Sequence, residues 1–279
     1  MSLPPDPVNE PAVRTASPLR WVVVLLALVA VLAFLLLSPG GYLSKADMVG
    51  YAVCHRIHSH SFIMAGRQLP MCARCTGTFT GALVGLVGQA LVLRRRRACE
   101  FPPAAILVVL VGFVLLMAVD GVNSYISLLP IGTSLYEPTN TLRLITGALN
   151  GLAMSAIVYP AINSTLWRDP TAERAIGAWK DLLVLLVLEA GTVGLVLTRW
   201  GPLLYPIATM SALGVLALLS SANSVLILTI TNRENRAAGW RQAAIALLAG
   251  LTASLVEIGV IDIIRYRLTG TFWGIPPLQ

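Results

Sequence analysis

Apolar residues run along this chain in blocks rather than in alternation with polar ones. The first block leads from Arg20 and Trp21 to Leu37, and six more follow at roughly 76–93, 103–119, 144–162, 181–198, 206–230 and 242–260. At about 1.5 Å per residue, such runs are long enough to cross a hydrocarbon core about 30 Å thick. Pro102, Pro103, Pro138, Pro170 and Pro202 fall between the blocks, where helix breakers belong. The pattern predicts an all-α polytopic transmembrane helical bundle of about seven spans, with no internal repeat and no second domain.

The flanks read differently. Residues 1–18 are rich in proline and poor in apolar side chains, which predicts a disordered cytoplasmic tail. A signal peptide is the rival reading of the first block. Its length, its long polar lead, and the Ser38-Pro39-Gly40-Gly41 that follows without a small-residue cleavage pattern argue for a helix that stays in the membrane. The transmembrane domain is therefore placed at 19–260. The segment 261–279 alternates apolar and basic residues and reads as an interfacial tail with Trp273 at the headgroups.

Composition agrees with the pattern: 56% of the 279 residues are hydrophobic and 12% charged, against about 25% charged in ordinary soluble domains. The formal charge of +7 includes the block Arg94 to Arg97. Beside a span, such a block is an orientation signal, and nucleic acid is not an expected partner. With a cytoplasmic N-terminus, twelve of the twenty basic residues lie inside, among them Arg14, Arg20, the four-arginine block, Arg233 and Arg236. That orientation in the cell membrane puts loop 38–75 and loop 120–143 together on the outer face.

Those two loops hold nearly all the unusual polar chemistry. The first carries Cys54, Cys72 and Cys75, together with all three histidines, His55, His58 and His60. Two thiolates at CxxC spacing can converge on one ion, and Cys54 with one histidine would complete a tetrahedral set of zinc ligands, with iron as the second choice. Three readings of the cluster stand side by side: a metal site, a thiol–disulfide pair in an oxidising compartment, and plain packing thiols at a helix start. Arg67 and Arg74 flank it, either lowering thiolate pKa values and holding an anion or standing as solvated charges. Cys99, beside the arginine block, reads as an incidental thiol. Gly66, Pro70, Gly77 and Gly81 read as turns and close helix packing.

In the second loop, Asp120, Asn123, Glu137, Asn140 and Arg143 are the candidate catalytic residues. One reading makes Asp120 and Glu137 a carboxylate pair at the bilayer surface, with Arg143 holding a phosphate or carboxylate. The other is structural, with Asn140 and Thr141 capping a helix and Glu137 paired with Arg143. Within the apolar blocks, Glu189 and Glu257 are costly ionisable groups, and Asn150, Asn163 and Asn223 are expected to hydrogen-bond across helices.

The stretches CHRIHSHSF, GRQLPMCARCTGTFTG, DGVNSY and LYEPTNTLRLITG resemble the uncharacterised membrane family catalogued as domain of unknown function 2085, over roughly residues 45–160. The matching positions are Cys54, His55, Ser61, Phe62, Gly66, Pro70, Cys72, Arg74, Cys75 and Gly77. The resemblance does not call for His58 or His60, and so implies His55 as the imidazole ligand beside Cys54, Cys72 and Cys75. It carries no activity with it. The expectation is an integral membrane zinc-binding protein, read further as a metalloenzyme acting on a lipid-linked or anionic substrate. The alternative is a non-enzymatic metal-binding or thiol–disulfide redox subunit with membrane partner subunits.

Overall fold

The computed structural model describes residues 18–127 and 134–272. Eight helices make up most of it: α1 (Pro18–Leu37), α2 (Tyr42–Val53), α3 (Ala73–Val87), α4 (Ala104–Ile126), α5 (Asn140–Leu166), α6 (Trp179–Leu197), α7 (Leu204–Ile230) and α8 (Trp240–Thr269). Short strands β1 (Ile63–Met64) and β2 (Arg67–Gln68) form an antiparallel hairpin, and β3 (Ala98–Glu100) pairs in parallel with β4 (Thr171–Arg174). The protein is thus a multi-pass, all-helical membrane bundle. Among the described residues, six helices are long and apolar enough to cross a membrane. The seventh apolar block is α6, which is 19 residues long and carries Lys180, Asp181 and Glu189.

Contacts at the helix ends fix how the bundle is threaded. At one end, the α3–α4 connection meets the α5–α6 connection through the β3–β4 pair. At the other end, Arg74 of α3 bonds Asp120 of α4, and Asn140 of α5 bonds the carbonyl oxygens of Ser59 and Ser61. Arg199, just past α6, lies 5.4 Å over the Phe62 ring. Tyr42 meets Thr209 near the start of α7, and Arg265 near the end of α8 reaches Cys54. The long helices therefore alternate in direction, and α6 runs the length of the bundle despite its charges.

Helices α3 and α5 form its axis, and glycine lets their backbones touch. A Cβ at Gly77 would stand 2.2 Å from the Leu144 carbonyl oxygen, and one at Gly147 would stand 2.2 Å from that of Arg74. Small residues spaced along both helices permit this approach, which in a bilayer substitutes for the hydrophobic drive available in water. The close-packing expectation for Gly77 and Gly81 is met.

Several details differ from the sequence reading. The segment between the first two spans is not an open loop, because α2 folds inside it and buries Leu43, Ala46, Asp47, Met48 and Val49. The α5 cap is Thr139, whose Oγ1 accepts from Leu142 N at 3.2 Å, so neither Asn140 nor Thr141 caps. Only Asn223 of the three asparagines bonds across helices, donating to Ser254 and Glu257 of α8. Asn150 turns to Met154 on its own helix, and Asn163 donates to the Ala98 carbonyl in β3. Helix α8 runs without a break past residue 260 to Thr269. Residues 1–17 and Trp273 lie outside the described residues.

Candidate metal centre

Each candidate ligand is placed by a helix end. Cys54 is the residue on which α2 stops, in extended conformation, so its side chain leaves the helix direction. Cys72 is the N-cap of α3, with Cys75 in the first turn beyond it. Between them the chain makes a short 3₁₀ turn at His58–His60 and then the β1–β2 hairpin. Ala65 and Gly66 form its two-residue turn, both with positive φ (48° and 73°), as a turn matching the right-handed twist of the strands demands. Phe62, Met64, Leu69 and Met71 of this excursion are all at most 1% exposed and share a core with Cys54 and Cys72. The hairpin is a plug that keeps water from the thiols.

Within that core the donor atoms of Cys54, His55 and Cys72 all lie within 4.8 Å of one another. Cys54 Sγ is 3.7 Å from His55 Nδ1 and accepts backbone N–H bonds from Arg56 (3.4 Å) and Cys72 (3.2 Å). Such N–H···S bonds stabilise a thiolate. Burial alone would raise the Cys54 thiol, but hydrogen bonds from Cys72, Cys75 and His55 hold it well below its ordinary value. The Cys72 thiol, which shares its proton with Cys54, is pushed up to about 12, burial adding to the effect. A divalent ion held by these thiols would displace their protons. Cys75 interacts with both Cys54 and Cys72 but falls outside the mutually close set of three. All four cysteines, Cys99 included, are free. The donor set of soft thiols and an imidazole fits a transition-metal ion such as zinc.

A supporting shell surrounds the donors. Asp47 on α2, 4% exposed, takes Arg56 at 2.9 Å on one oxygen and Arg67 at 2.6 Å on the other, locking α2 to the hairpin. Gln68 Nε2 donates to the Arg56 carbonyl and to Ser61 Oγ. From the far end of the chain, Arg265 donates to the Cys54 carbonyl at 2.8 Å and stacks 4.0 Å over the Tyr51 ring. Spacing could not reveal Arg265 or Asp47, because their partners are set by tertiary packing. The arginines at 67 and 74 are ion-paired rather than free surface charges.

The second constellation sits against the first. Asp120, Asn123 and Ser124 occupy the last turns of α4, spaced to share one helix face. Arg74 donates to Asp120 Oδ2 and, at 2.9 Å, to Ser124 Oγ, while the Tyr136 hydroxyl donates to Asp120 Oδ1 at 2.9 Å. Asn123 pins the returning segment, donating to the Tyr136 carbonyl at 2.9 Å and accepting from Leu135 N at 2.7 Å. Arg143, 5% exposed, donates to Asn140 Oδ1 at 2.9 Å. Among the described residues no carboxylate pairs with it. Glu137 is exposed whereas Asp120 is buried, and among the described residues no ion pair joins Glu137 to Arg143. His60 links the two constellations: its ring lies 6.0 Å from that of His55. Burial, then the charges of Arg143, His55 and Arg74, hold it down to about 4 against the pull of Asp120, so it is neutral at physiological pH.

A multi-pass helical membrane protein with a buried Cys/His cluster able to coordinate a metal ion is the class these features define. Residues 54–157 match the family model described as a predicted membrane protein, DUF2085, an uncharacterised membrane protein family. The match opens on Cys54 and closes within α5, so it spans every candidate ligand and the whole polar cluster around Asp120. An uncharacterized protein of Methanocaldococcus jannaschii is 28% identical over 116 residues, 42% of this chain and 67% of that protein. No solved structure matches the chain.

Proposed function

We propose that this is an integral membrane protein that binds zinc through Cys54, His55, Cys72 and Cys75 at the outer membrane face, beside a cationic pocket for the anionic group of a lipid-linked substrate. The convergence of three donor atoms within 4.8 Å, inside a water-excluding core, carries the metal half of this reading. Cys75 supplies the fourth ligand once the thiols give up their protons. Four protein ligands close a tetrahedral site, so the ion braces the junction of α2, the hairpin and α3. Any reaction then falls to the neighbouring polar cluster. There buried Arg143, which has no carboxylate partner among the described residues and is steadied by Asn140 Oδ1, supplies N–H donors to an anion, and Asn123 and Asp120 hold the segment that leads to it. Glu137, exposed nearby, is the carboxylate left free to act as a base. The excess of basic residues at the opposite end of the bundle supports the outward placement.

One observation favours the non-enzymatic reading: both oxygens of Asp120 are already engaged, by Arg74 and Tyr136. On that reading the cluster is a clasp, and the chain is a metal-binding or thiol-redox subunit whose membrane partners supply the reaction. Elemental analysis beside a thiol count on purified protein tests the metal site. About one zinc per chain is expected, lost in Cys72→Ser, and metal-free protein with a Cys72–Cys75 disulfide would overturn it. Arg143→Gln separates the two functional readings. With metal content intact, it should retain phosphatidic acid about 10–100-fold more weakly in native mass spectra, the range expected for one charged hydrogen-bonding partner. Unchanged retention leaves the clasp.

A further inference from the structure

At the end of the bundle away from the metal centre, α7 stops and α8 begins, joined by a turn held against the end of α5. Asn235 N donates to the Thr165 carbonyl at 2.8 Å, Ala237 N to that of Leu166 at 3.1 Å, and Arg168 N to that of Ala237 at 3.0 Å. These bonds fix the backbone that bears Arg233 and Arg236. Both arginines, with Arg20 from the first turn of α1, line a cavity of about 690 Å³ between α1, α7 and α8.

All three arginines are exposed, and among the described residues no carboxylate forms an ion pair with any of them. Arg236 gives one N–H to the Asn232 carbonyl at 3.0 Å. Glu234, the acid of the turn, has its Oε1 taken by the Thr229 hydroxyl at 2.6 Å. The rim therefore keeps an excess of positive charge. Toward the middle of the bundle the walls turn apolar, with Val23, Ile227, Ile245 and Ala249 among them. From Gln242 to Ala249 the α8 wall runs about 10 Å along the helix, and the small side chains of Ala246 and Ala249 keep the groove open. Trp21 and Trp240, 69% and 61% exposed, lie at the same end of α1 and α8 and mark the headgroup level, as interfacial indoles do. The arginines thus stand among headgroups, and the groove below them reaches into acyl chains.

A free phosphate would use the rim and leave the apolar walls wet. A neutral lipid would fill the walls and leave three guanidiniums unanswered. A zwitterionic headgroup would bring an ammonium of its own beside them. An anionic phosphodiester with a chain in the groove matches both halves, because its oxygens accept guanidinium N–H bonds while the chain covers the apolar wall. We infer that the α1–α7–α8 groove binds an anionic glycerophospholipid, its phosphate held by Arg20, Arg233 and Arg236 and one acyl chain laid along α8.

Phosphatidylglycerol carrying a diazirine in one acyl chain tests this on the full chain in phosphatidylcholine nanodiscs, with adducts mapped by peptide mass spectrometry. Adducts are expected on the peptides that carry Ile227 and Ile245 to Ala249. Unlabelled phosphatidylglycerol should suppress them, whereas added phosphatidylcholine or glycerol phosphate should not. Arg233→Gln combined with Arg236→Gln should lower the yield at subsaturating probe by roughly thirtyfold, the effect of removing two cations at a membrane surface. Ala249→Phe, which fills the groove and spares the arginines, should lower it as well. No adduct on these peptides, as when a second copy closes the groove, would overturn the assignment. So would an unchanged yield in the arginine double variant or suppression by glycerol phosphate. An undiminished yield in Ala249→Phe would reduce the rim to a general basic surface and overturn it too. Unaltered metal content in the double variant reports an intact fold. Adducts on the peptide that carries Arg143 belong to the other site, so the two readings fail separately.

Discussion

At the residue scale, the metal-capable cluster of Cys54, His55 and Cys72 could be read from the sequence because its chemistry is intrinsic. A thiol or an imidazole announces what it can bind wherever it sits, and CxxC spacing fixes how two thiols converge. What surrounds them could not be read so. His60, Asp47 and Arg265 earn their places only through packing, and Arg265 lies 211 positions from the carbonyl it holds. Outer partners of this kind orient ligands and commonly set metal affinity within a factor of about 10–100. Arg265→Met should therefore weaken zinc binding by about that range, measured by competition with a chromophoric chelator, while Arg267→Met, one helical step away in sequence and turned elsewhere, should not. Equal affinities in wild type and Arg265→Met would remove the guanidinium from the site's support. The fate of Asp120 and Glu137 makes the same point from the other side. Their equal chemistry suggested a pair, yet one is buried under Arg74 and Tyr136 and the other faces outward.

Among the elements, all seven long helices fall on the apolar blocks, since block length and composition are enough to fix a span. Their ends were less legible. Helix α4 runs on to Ile126 and carries Asp120, Asn123 and Ser124 as helical residues, because a polar face at the end of a span looks like a loop when only apolar content is read. Helix α2 and the hairpin were missed for a related reason: both are short and mixed in composition, and both are held by burial rather than by periodicity. The α3–α5 contact offers a sharp test of how elements carry the site. Gly147→Val should force α5 away from the Arg74 carbonyl, at a cost of about 1–3 kcal/mol or more. Because α3 also bears Cys72 and Cys75, metal content should fall along with the thermal midpoint in detergent. Gly112→Ala on α4, with nothing within 4 Å of the new Cβ, should leave both unchanged. A Gly147→Val protein as stable as the parent would mean the two backbones have room to spare.

For the whole molecule, the threading and the charge pattern meet. Of the eight basic residues assigned to the outer side, Arg56, Arg67 and Arg74 are consumed in ion pairs, and Arg265 is spent on Cys54. These contacts give them work within the site, so they count little against the orientation proposed from the arginine block. In a Cys99→Ser background on intact cells, a membrane-impermeant maleimide should label Thr141→Cys directly and Glu173→Cys only after permeabilisation. The reverse pattern would turn the protein over in the membrane and put the metal centre inside.

The bond from Arg265 to Cys54 has one more consequence, and it concerns time rather than space. All the candidate ligands have been synthesised before the first third of the chain is complete, whereas the guanidinium that steadies them arrives with α8. A chain arrested before α8 would offer a full set of thiols and imidazole on a loosely held scaffold, open to scavenging ions and to oxidation. On the proposed metal-binding reading, firm capture of an ion would mark that α8 has been made, and a chain interrupted before it would differ by the ion it fails to keep.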